Sequence, residues 1–86
     1  MYTVSVKNSA LKEIQNIPKV FRIKIIETID TLATNPRPTG VKKLEGFKNS
    51  YRVRVGQYRI VYEIEDRQLL VEVIKVANRK EVYRNK

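Results

Sequence analysis

Three arginines in "YRVRVGQYRIVY" (Tyr51 to Tyr62) are the residues best suited to chemistry. The stretch alternates like a strand, turns at Gly56 and alternates again, which predicts a hairpin with a two-residue Gly56-Gln57 loop of type II′. In that register Val55 faces Tyr58, Arg54 faces Arg59, Val53 faces Ile60 and Arg52 faces Val61. Side chains alternate with period two, so Tyr51, Val53, Val55, Tyr58, Ile60 and Tyr62 share an inner face and Arg52, Arg54 and Arg59 share the other. Like charges across a hairpin cost a few tenths of a kcal/mol or more, and an anion over the sheet would offset that. Guanidinium grips phosphate in a planar, bidentate way. The plainer alternative is a solvated strand face with Glu63 and Glu65 as distant compensators. Arg79 and Tyr83, beyond the last strand, extend the same chemistry if the tail folds back beside the hairpin. Tyrosine offers a π-face to a base and a hydroxyl to a phosphate or a proton.

The rest of the composition narrows the field. The chain has 86 residues, enough for one domain spanning 1–86. Lys plus Arg number 18 against 9 acidic residues, a net charge of +9 that favours a polyanionic or acidic partner. There is no cysteine and no histidine, so disulfides, thiolate metal sites and the usual general base are excluded. No metal or cofactor is expected. No stretch approaches the ~18 apolar residues of a membrane span. The start "MYTVSVKNSALKE" reads as a strand and a polar turn, with no signal peptide expected. A cytoplasmic protein is the expectation.

The elements that must position these residues read β-α-α-β-β-β. Tyr2 to Val6 is the first strand. Asn8 and Ser9 are N-cap candidates for a short helix with Leu11, Ile14 and Ile17 on one face. Pro18 fits the first turn of a second helix, whose stripe is Phe21, Ile25, Ile29 and Leu32, widened by Ile26 and Ala33. "TNPRPTG" (Thr34 to Gly40) ends it. "VKKLEGFKNS" (Val41 to Ser50) reads as a basic loop, with Leu44 and Phe47 as anchors. Strands follow at Tyr51 to Val55, Tyr58 to Glu65 and "LLVEVIKV" (Leu69 to Val76). The last is apolar on both faces apart from Glu72 and Lys75, so it should be central. The expected fold class is α+β: an antiparallel sheet of about four strands with an αα-hairpin on one face.

With these features in place, the chain resembles the RelE/ParE superfamily of bacterial toxins from type II toxin–antitoxin systems. The resemblance runs from "ALKEI" through "NPRP" and "KKLEGFKNSYRVRVGQYRIVYEI" to "LLVEVIKV" and "NRKEVY", nearly the whole chain. It implies a RelE-like, ribosome-dependent, metal-independent endoribonuclease that cuts messenger RNA by attack of a 2′-OH on the adjacent phosphate. The catalytic set it implies is Arg52, Arg54, Arg59, Arg79 and Tyr83. Arg59 and Arg79 would hold the scissile phosphate, Arg52 and Arg54 the flanking backbone, and Tyr83 a base or a proton. Lys42, Lys43, Lys48 and Lys80 would contact ribosomal RNA. The implied partners are the 70S ribosome with its mRNA and a cognate RelB-like antitoxin, in a toxin–antitoxin hetero-oligomer. Two departures from the family pattern leave proton transfer unassigned: both first-strand basic residues are arginine, and Asn78 stands where many relatives carry histidine. Lys48 and Glu63 are candidates for the missing base. The rival readings are a ParE-like, non-enzymatic gyrase inhibitor, a passive nucleic-acid-binding module, and a degenerate toxin.

Overall fold

The computed structural model describes residues 1–78. Its elements are β1 (Thr3–Val6), α1 (Asn8–Gln15), α2 (Lys19–Thr31), β2 (Lys42–Lys43), β3 (Ser50–Val55), β4 (Tyr58–Glu65), a 3-10 turn (Asp66–Gln68) and β5 (Leu70–Asn78). They form one sheet in the order β1-β5-β4-β3-β2. This extends the expected architecture in two ways. The sheet has five strands, because Lys42 and Lys43 of the supposed loop pair with Arg52 and Tyr51. It is also mixed, because β1 runs parallel to β5 while all other neighbours are antiparallel. The two helices supply the long crossover that a parallel pair needs. As expected, β5 lies inside the sheet, between β1 and β4.

β5 carries a bulge. Tyr62 pairs with Val73 and Val61 with Lys75, which leaves Ile74 as an extra residue. The extra residue resets side-chain parity, so Val71, Val73 and Val76 all point into the core. It also falls where β1 ends, since Lys7 N–H closes the parallel pairing on the Val73 carbonyl. Beyond that point, among the described residues, no strand flanks Val76 N–H on the β1 side. The Glu13 carboxylate of α1 takes its place, with Oε1 accepting from Val76 N at 2.9 Å and Oε2 meeting Lys75 Nζ at 3.1 Å. A part-buried amide left without an acceptor costs about 1–3 kcal/mol. Glu13→Ala should therefore lose about that much in urea unfolding. Glu13→Gln, whose amide oxygen still accepts, should lose clearly less.

The helices cover one face of the sheet. Ala10, Ile14, Ile17, Ile25, Ile29 and Leu32 pack on Val53, Ile60, Tyr62, Ile64, Val71 and Val73. Phe21 is half-buried against Tyr58, with ring centroids 5.7 Å apart. Leu11 and Ile26, assigned to the inner stripe from the sequence, face outward. At about 100° per residue, Ile26 lies a quarter-turn beyond Ile25 and off the packed side. The helix starts also differ from expectation. Lys7 occupies the first N-cap, with no side-chain cap bond from Asn8 or Ser9. Pro18 is itself the second N-cap, one position earlier than expected, and its carbonyl accepts from Phe21 and Arg22.

The "NPRP" segment is clasped rather than loose. Tyr62, fully buried, donates to the Pro36 carbonyl at 2.7 Å. Arg37 binds Asp66 through both terminal nitrogens at 3.2 and 2.9 Å, and stacks over the Tyr51 ring at 5.1 Å. Tyr2 donates to the same carboxylate at 2.6 Å. One aspartate thus ties β1, the loop after α2 and the β4–β5 turn. Hydrogen bonds from Arg37, then Tyr2, hold the Asp66 carboxyl below its ordinary 3.8. Folding therefore gains from this group above about pH 4, and the gain disappears as pH falls through the lowered value. Thermal midpoints taken from about pH 6 downward should fall more steeply for the native chain than for Asp66→Asn.

Candidate active site

The arginine site is built by the β3–β4 hairpin. Gly56 takes φ of 58°, the left-handed value that the first loop position of a type II′ turn demands. The register is the one expected: Val55 with Tyr58, Arg54 with Arg59, Val53 with Ile60, Arg52 with Val61. Val53, Ile60 and Tyr62 are buried under the helices, and Tyr51, Val55 and Tyr58 pack beside them. Arg52, Arg54 and Arg59 consequently share the face away from the helices.

All three line one open cleft of about 370 Å³, with Lys42, Thr39, Gly40 and Val53 completing its wall. Lys42 enters through its pairing with Arg52. The cations are graded in depth. Arg59 is 3% exposed, Arg52 is half-buried, and Arg54 and Lys42 are exposed at the rim. Fixed charge attracts an anion more strongly where solvent is excluded, so the deepest guanidinium should contribute most to binding one. No carboxylate lines this cleft among the described residues. Its chemistry is positioning and positive charge, with the Thr39 hydroxyl as the one neutral polar side chain among the described lining residues.

The other candidate residues lie elsewhere. Lys43 pairs with Tyr51 and so falls on the opposite parity from Lys42. Lys48 and Glu63 line a separate cleft of about 230 Å³ that also contains Phe47, Ser50, Glu65 and Glu72. That cleft is at the other end of β3, where Ser50 pairs with Glu63 and Glu63 with Glu72. Neither candidate base therefore shares the arginine cleft. β5 ends beside the hairpin, with Asn78 opposite Tyr58, and Asn78 lines a third cleft on the helix side with Glu13 and Asn16. Arg79, Lys80 and Tyr83 lie outside the described residues. Sequence reasoning missed Thr39 and Gly40, because "TNPRPTG" signalled only the end of a helix.

The chain belongs to the family of ParE toxins of type II toxin–antitoxin systems, whose model matches residues 4–83. Its relatives include RelE toxins. It is 30% identical to toxin RelE of Mycobacterium tuberculosis, over 96% of this chain and 87% of that one. Its fold matches the archaeal RelE–RelB complex from Pyrococcus horikoshii with a TM-score of 0.82 at 30% identity, covering 91% of this chain and 94% of that one. The isolated Escherichia coli RelE toxin matches with a TM-score of 0.79 at 25% identity, over 98% of both chains.

Proposed function

We propose that this toxin is a ribosome-dependent messenger-RNA endoribonuclease of the RelE type, and that the hairpin cleft holds the scissile phosphate. The observation carrying this reading is the convergence of Arg52, Arg54 and Arg59 with Lys42 in one cleft free of carboxylates among the described residues. The RelE names of its relatives support the same reading.

In the proposed reaction a ribose 2′-oxygen attacks the adjacent phosphorus and the P–O5′ bond breaks. The products are a 2′,3′-cyclic phosphate and a free 5′-hydroxyl. One proton leaves the 2′-OH and one reaches the departing 5′-oxygen. Arg59 grips the non-bridging oxygens and neutralises the charge that grows on them in the transition state. Arg52 and Arg54 fix the flanking backbone so that attack is in line. Arg79 and Tyr83 complete the set by resemblance alone, Tyr83 in the role of orienting a base or moving a proton. Among the described residues no group lining the cleft is a general base, so proton transfer falls to Tyr83, the ribosome or the RNA itself. Lys42 at the rim steers the chain to polyphosphate, with Lys43, Lys48 and Lys80 as wider contacts.

A RelB-like antitoxin is the proposed inhibitor, by analogy with the RelE–RelB complex from Pyrococcus horikoshii. A ParE-like action on gyrase is the second reading, favoured by the description of the matching family. Primer extension on messenger from cells expressing the chain separates the two. In-frame cuts inside translated codons, abolished by Arg59→Ala, are expected. Intact messenger together with impaired DNA supercoiling would favour the gyrase reading instead.

A further inference from the structure

Helix α2 has an apolar outer face. While Ile25, Ile29 and Leu32 enter the core, Val20 is 61%, Ile23 48% and Ile26 44% exposed. At about 100° per residue, positions 19, 23, 26 and 30 form one outward stripe. Their 4-3-4 spacing is the seam of a helix that packs on another helix. Isoleucines fill the middle two positions, and exposed Lys19 and Asp30 fill the ends.

Those end charges oppose the helix's own dipole. Lys19 is the first residue of α2 and Asp30 lies in its last turn. No acidic residue occupies the first turn and no basic residue the last. A cation at the N-terminus and an anion at the C-terminus each disfavour an isolated helix by some tenths of a kcal/mol. Among the described residues no ion pair compensates, since those present join Arg37 to Asp66 and Lys75 to Glu13.

The geometry points to a second copy of this chain as the occupant of that face, with the two α2 helices antiparallel about a two-fold axis. Ile23 of each copy then packs on Ile26 of the other, giving two apolar layers. Lys19 of each copy meets Asp30 of the other at both ends of the seam. The charges that oppose the dipole in one helix suit it in the pair: each N-terminus receives an aspartate and each C-terminus a lysine. The contact is self-complementary and closes at two copies. A pair of 13-residue helices makes a small interface, in the weak, transient class below about 1,200 Å². The arginine cleft lies on the face of the sheet away from the helices, so pairing leaves it open. The inference is therefore independent of the nuclease reading.

Sedimentation velocity on the purified chain, from about 10 μM to about 1 mM, tests it over the range expected of a weak interface. A monomer–dimer equilibrium is expected, and Ile23→Glu should leave only monomer. Lys19→Asp and Asp30→Lys should each weaken pairing about three- to thirtyfold, while the thermal midpoint of the dilute monomer stays level or rises. The Lys19→Asp/Asp30→Lys double variant should restore pairing, because both ends are again matched. Circular dichroism checks that each variant is folded, and RNA cleavage should be unchanged in all of them. Three results would overturn the inference: a monomer at every concentration, a dimer indifferent to Ile23→Glu, or a double variant weaker than either single one. Protection of the face only when an acidic amphipathic antitoxin peptide is added, with the chain alone remaining monomeric, would also overturn it.

Discussion

Arg59→Ala should lower single-turnover cleavage of messenger on ribosomes by about 100- to 1,000-fold, the range for losing one preorganised charge at a transition state. Arg54→Ala should cost much less, about fivefold or under, because its guanidinium sits at the wet rim where screening leaves about 1 kcal/mol or less. The contrast follows from depth: the two residues are direct cross-strand partners, yet one is buried and the other exposed. Arg59→Lys keeps the charge but loses the planar fork, and should fall between the native chain and the alanine variant. Folded Arg59→Ala protein that cuts at the native rate would remove the arginine cleft from the mechanism.

The largest effect on stability should come from Tyr62, which is fully buried at the centre of the core, stacks with Tyr51 and donates to Pro36. Tyr62→Ala should cost about 3–5 kcal/mol, as for other buried aromatics. Domains of this size are stable by only about 4–13 kcal/mol, so the variant should be marginal at best. Tyr62→Phe isolates the hydroxyl. It leaves the carbonyl of buried Pro36 without its donor and should cost about 1–2 kcal/mol in urea unfolding. The same burial pushes the Tyr62 phenol up to about 12 from an ordinary 10.0. The unfolded chain therefore ionises first, and stability should fall as pH rises from about 10 towards about 12. Tyr62→Phe should lack that part of the alkaline slope.

The parts of the fold legible in the sequence are those set by local rules. Gly56 at the head of an alternating run gave the turn type, and the turn fixed the register that places three arginines on one side. The apolar run around Val71 and Val73 placed β5 inside the sheet. The illegible parts depend on distant segments meeting. A two-residue strand such as Lys42–Lys43 has no periodicity to detect. The bulge at Ile74 shows only once β1 is seen to stop at Val6, and Glu13 reads as a surface carboxylate until Val76 N–H is found against it. The outward turn of Leu11 and Ile26 depends on how far each helix rolls on the sheet. For the hairpin cleft, the shared face of Arg52, Arg54 and Arg59 was readable but their depth was not: nothing in "YRVRVGQYRIVY" separates buried Arg59 from exposed Arg54.

The two clefts at opposite ends of β3 make the strand face electrically lopsided. Among the described residues, Arg52, Arg54, Arg59 and Lys42 crowd the hairpin end, while Glu63, Glu65 and Glu72 outnumber Lys48 at the far end. In the field of a polyphosphate surface such a body feels a torque as well as a pull. It should swing round during approach and land tip first, with encounters in the reverse attitude repelled before contact. This aiming works over roughly a Debye length, about 8–10 Å near physiological salt, and fades as salt shortens that reach.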